Sequence, residues 1–121
     1  MKNPLRTVFR IASFAAVAAA LLHFASMLSR NISRIEYEPG YPQWRHVVFI
    51  GINVILAWLF QVRPRWFIWV HGTLTAQVLY SHGWGAYRLW LGDGRVDWMS
   101  VAVSIGAPFL LIALILDRHA T

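Results

Sequence analysis

"VHGTLTAQVLYSHGWGAYR", residues 70–88, is the stretch whose reading decides the fold. It carries two His-Gly pairs, two threonines, a glutamine and a serine inside a chain that is otherwise strongly apolar. Of 121 residues, 58% are hydrophobic and 13% charged, and the aromatic share of 15% includes seven tryptophans. A soluble domain this short leaves too much of its surface in water to hide that apolar content. The chain is therefore expected in a lipid bilayer, with its most polar stretch inside the membrane.

Working outward, four segments are long and apolar enough to cross about 30 Å of hydrocarbon, which takes roughly 20 helical residues each. They run approximately over residues 8–28, 46–62, 66–90 and 98–116. The first has a basic start (Lys2, Arg6) and an alanine-rich core, features shared with secretory signals, but it is read as a retained span. The fold expected is an all-α integral membrane protein: four transmembrane helices in an antiparallel bundle with short loops, forming a single domain over residues 1–121. Trp44, Trp66, Trp90 and Trp98 fall at the proposed span ends, where an amphipathic indole prefers the headgroup level.

The loops set the expected orientation. Lys2, Arg6, Arg10, Arg63, Arg65 and Arg118 gather on the face that holds both termini, with Asp117 as its acid. The other face holds Arg30, Arg34, Arg45, Arg88 and Arg95, offset by Glu36, Glu38, Asp93 and Asp97. The positive-inside rule then places both termini in the cytoplasm, and the expected location is a bacterial inner membrane. The net charge of +6 reads as topology and contact with anionic lipid. Nucleic-acid binding would need a basic soluble patch, which the sequence lacks.

On an ideal helix the eleven residues from His71 to His82 make three turns plus about 20°, so both imidazoles share a face about 16 Å apart along the axis. A helix with this polar stripe faces lipid only at a cost of several kcal/mol per unsatisfied group, so the third span is expected at the centre of the bundle. Thr73, Gln77 and Ser81 are expected to bond neighbouring helices or their own backbone. In the first span Ser13, Ala16, Ala20, His23 and Met27 form a narrow stripe of small residues ending in an imidazole and a thioether. In the second, His46, Ile50 and Asn53 share a face. In the fourth, Pro108 is expected to kink the helix.

Depth points to the candidate site. Counted at 1.5 Å per residue, His23, His46 and His82 lie roughly 19 to 24 Å above the cytoplasmic boundary, with Met27 and Met99 near the same level. Two imidazoles facing one another from different helices suit haem b, and imidazole with thioether suits copper, particularly Cu(I). The cofactor-binding candidates are thus His23, His46 and His82, and the metal-ligand candidates add Met27 and Met99. The plainer alternative is that histidine, with an apolar body and a polar tip, simply suits the interfacial layer. His71, alone near the other face, reads as a packed, hydrogen-bonded residue.

What is missing narrows the function. Without cysteine there is no disulfide and no thiolate chemistry. No span contains an acid, which argues against a proton-coupled antiporter built on a buried carboxylate. No catalytic grouping of Ser, His and Asp and no phosphate-binding glycine loop is present, so no catalytic residue is assigned and the reading leans away from an enzyme. Glu36, Glu38, Tyr37 and Tyr41 read as a solvated loop, and Asn31-Ile32-Ser33 matches a glycosylation sequon. The run "HGWG" (residues 82–85) resembles the histidine-bearing helix of succinate dehydrogenase membrane anchors, which hold haem b and quinone. That likeness is confined to the short run, those anchors have three spans rather than four, and no function is carried over. The favoured expectation is a non-catalytic accessory subunit or assembly factor, whose partners are the lipid bilayer and other membrane subunits. The alternative is a haem b- or copper-binding redox or metal-handling module.

Overall fold

The structure is a computed structural model and describes residues 4–28 and 43–119. The loop residues Arg30, Arg34, Glu36, Glu38, Tyr37 and Tyr41, the sequon at Asn31 and the charge of Lys2 lie outside the described residues. Within them every regular element is helical, and there are four helices. Three of these, α1 (Pro4–Leu28), α2 (Gln43–Val62) and α5 (Trp98–His119), are long and apolar enough to cross a membrane. The remaining helix is a rod of three parts: α3 (Phe67–Val78), a wide π turn (Leu79–Gly83) and α4 (Trp84–Asp93). Val78, Leu79, Gly83 and Trp84 all keep right-handed helical dihedrals, so the rod passes through both junctions without a break.

The contacts divide the chain into two units, residues 1–63 and 64–121. In the first, α1 and α2 pair along the small-residue stripe read from the sequence. Ser13, Ala16 and Ala20 are buried with Phe9 and Ala12, against Ala57, Leu59 and Phe60 of α2. Small residues let two backbones approach, and here the Ser13 hydroxyl reaches across to donate to the Ala57 carbonyl at 2.8 Å. Phe9 stacks on Phe60 with ring centroids 6.4 Å apart, and His23 meets His46 at the other end. As positions rise along α1 their partners fall along α2, so the pair is an antiparallel hairpin.

Pro4 opens α1, a position where its missing N–H costs no hydrogen bond, and this places the helix start four residues before the span read from hydropathy. Arg63 closes α2 in the left-handed region (φ 50°), with its N–H on the Leu59 carbonyl at 2.8 Å and its guanidinium 5.0 Å from the Phe9 ring centroid. The following Pro64 disfavours any continuation of the helix.

In the second unit α5 packs along α3 and the π turn, burying Phe67, His71 and Thr75 on one side and Ser100, Ala113 and Leu114 on the other. Gly94 stops α4 in the left-handed conformation (φ 65°), donating its N–H to the Trp90 carbonyl at 3.0 Å. Left-handed backbone is nearly free for glycine and strained for other residues. Asp97 then caps α5, accepting the Ser100 N–H at 3.1 Å. Helical structure continues through Pro108, so α5 is not interrupted there.

The threonines and serine of the opening stretch mostly bond their own backbone, as one of the two expectations had it. Thr73 donates to the Trp69 carbonyl, Thr75 to that of His71 and Ser81 to that of Gln77. Asn53 of α2 does the same to Phe49, at 2.8 Å.

Candidate functional site

The five site candidates fall into the two units. His23 and His46 come together in the first: their Nδ1 atoms are 3.1 Å apart and their ring centroids 5.4 Å, with the planes tilted by 53°. His46 is buried on the first turn of α2, and His23 stands half-buried near the end of α1, its ring stacked 5.2 Å from that of Phe49. One facing nitrogen donates and the other accepts, so the two imidazoles hold different tautomers. Met27 lies one helical turn beyond His23 on the same side of α1 and is half-buried.

His82 sits in the π turn of the second unit and reaches α5. Its Nδ1 is 3.0 Å from the Ser100 hydroxyl, and that hydroxyl donates to Asp97 Oδ2 at 2.7 Å. Because the serine proton is committed to the carboxylate, His82 donates its Nδ1–H to the hydroxyl oxygen. Burial alone would raise the Asp97 carboxyl. The Ser100 hydroxyl and the backbone N–H groups of Ser100 and Met99 outweigh it, aided by the nearby His82, and hold it below the usual carboxylate range. Met99 is exposed at the start of α5.

His71 is buried beside Phe67 and donates its Nε2–H to the Ala107 carbonyl at 3.1 Å. Thr75 reaches the same carbonyl at 3.4 Å. Both histidines of the opening stretch thus bond α5, at Ala107 and at Ser100. The relay from His82 to Asp97 was missed in the sequence, although Asp97 three residues before Ser100 is a readable helix-capping pattern.

Among the described residues no three His, Cys, Asp or Glu side chains converge as a metal site. An open cleft of about 390 Å³ lies beside α4, lined mainly by apolar groups such as Tyr87, Trp90, Val101 and Ile105, with Asp97 and Ser104 as its polar members. All seven tryptophans are exposed. Six lie on or within about a turn of a helix end, while Trp84 stands mid-rod, its ring 5.7 Å from that of Tyr87.

No family model matches the chain, and no curated protein or solved structure matches it either.

Proposed function

We propose that this protein is a non-catalytic accessory subunit or assembly factor of a larger membrane complex, inserted as four antiparallel spans. In this reading it lies in a bacterial inner membrane with both termini cytoplasmic. The observation that carries the proposal is a polar stripe on the third helix. Thr73, Gln77 and Ser81 recur every four residues and are all exposed. Gln77 lies ten residues into α3, about 15 Å along the axis and so near the middle of about 30 Å of hydrocarbon.

Gln77 donates one amide hydrogen to Ser81 at 3.2 Å. A carboxamide has a second donor and a carbonyl acceptor besides, and lipid tails satisfy neither. In a bilayer such groups cost several kcal/mol unless protein covers them. The covering surface proposed is a transmembrane helix of a partner subunit presenting hydroxyl or amide side chains, in contacts typically worth about 0.6 kcal/mol each. Exposed aromatics at the helix ends supply further area for that contact.

A photo-crosslinking residue at Gln77 or Ser81, introduced singly and activated in native membranes, tests this. Adducts of defined higher mass from both positions, absent when the same group replaces the exposed Ile112 of α5, are expected. Gln77→Leu should weaken co-migration with the complex in mild detergent. Adducts only with lipid, only within the chain or only with a second copy of it would overturn the subunit reading.

A further inference from the structure

We propose that His23, His46 and Met27 form a low-coordinate site for copper(I) where α1 ends and α2 begins. The inference begins with the distance between the two Nδ1 atoms, 3.1 Å. Two imidazole nitrogens sharing one metal, at bonds of about 2.0 Å, stand between about 3.3 and 4 Å apart for tetrahedral to linear geometry. The pair is thus pre-positioned to within a few tenths of an ångström of a tetrahedral or trigonal bite. A haem iron between them needs the linear separation of about 4 Å and room for a macrocycle, which a hydrogen-bonded pair does not leave.

The donor set selects the ion. Zinc is held by thiolate, imidazole and carboxylate ligands, whereas a thioether beside imidazole favours the softer copper(I). Copper(I), a soft d¹⁰ ion, is content with two or three ligands and accepts thioether. Met27 offers that sulfur one turn along α1 from His23 and on the same side. His46 is on the first turn of α2, so the pair lies near the helix ends rather than at mid-membrane.

Stacking against Phe49 and burial of His46 hold both rings in place before any metal arrives. Pre-organisation of this kind reduces the ordering cost of binding. On metal binding the imidazole that now donates from Nδ1 carries its proton on Nε2 instead. Copper enters and leaves as copper(I), with no electron transferred and no net change in protons. The proposal does not depend on the subunit role, and its test can fail without touching that role.

The experiment is anaerobic titration of the purified full chain, in detergent, with copper(I) against a chromogenic copper(I) chelator. One equivalent per chain is expected to resist the chelator. His23→Ala and His46→Ala should each lose affinity by more than the roughly 10- to 100-fold typical of a mere outer contact. Met27→Leu, close in volume, should weaken binding with unchanged helicity, and X-ray absorption of the loaded wild type should give two nitrogens and one sulfur. His82→Ala and Met99→Leu should leave binding intact. If wild-type protein with native helicity retains no copper(I), or if the His82 or Met99 variant loses it while the His23 and His46 variants keep it, the site is refuted.

Discussion

At Ser100 one hydroxyl serves two neighbours, accepting from His82 and donating to Asp97. Replacing it tests the whole relay. In Ser100→Ala the Asp97 carboxyl should rise toward its ordinary value of about 3.9, and His82 should lose the hydroxyl that accepts its Nδ1–H. Both are readable by carbon and nitrogen chemical shifts against pH. Removing a buried hydroxyl that satisfies two partners should also cost about 1 to 3 kcal/mol. The sign of the acid response follows from the lowered carboxyl. A group whose folded value is depressed contributes stability above its unfolded value, and that contribution is lost as pH falls through the folded value. The first turn of α5 should accordingly loosen only below the usual carboxylate range, and hydrogen exchange of the Ser100 amide would register it. An unchanged Asp97 titration in Ser100→Ala would remove the serine from the account.

The helices respond to substitution according to which face is packed. Ala16 is buried between α1 and α2 while Ala15 is exposed. Ala16→Leu should therefore overpack the hairpin by about 1 to 3 kcal/mol, and Ala15→Leu should be nearly neutral in thermal unfolding in detergent. Gly94→Ala, at φ 65° with open space around it, should cost about 1 kcal/mol from backbone strain alone. Gly92→Ala, equally open and without that φ, should not. Much of this was legible in the sequence. The Ser13, Ala16 and Ala20 stripe is the buried face of α1, and His46, Ile50 and Asn53, which share a face of α2 by helical spacing, are buried or half-buried. The π turn was not legible, because hydrophobic periodicity cannot register one extra residue in a single turn. Nor was the His23 and His46 contact: spacing sets a level along the axis, and only the helix crossing decides which way a ring points. The stripe of Thr73, Gln77 and Ser81 was recognised as polar, but whether it is covered depends on packing partners that no single helix encodes.

For the chain as a whole, membrane topology is the first quantity to measure. A single cysteine at Pro64 should resist an impermeant thiol reagent applied from outside, and one at Arg95 should react; the reverse pattern would invert the orientation. The division of internal contacts at Arg63 and Pro64 bears on how the protein is made. Both partners of every hydrogen bond named between α1 and α2 are synthesised before α3. At about 5 to 20 residues per second, the 58 residues from 64 to 121 (121 − 63) take several more seconds to synthesise. During that interval the nascent first hairpin can already be closed, with its paired imidazoles in place, while the polar third helix is still entering the insertion machinery. The order of manufacture thus lets the histidine pair form ahead of the polar stripe of the third helix. A ribosome-stalled chain ending in the α5 region should show the first hairpin protected from exchange and the second still open.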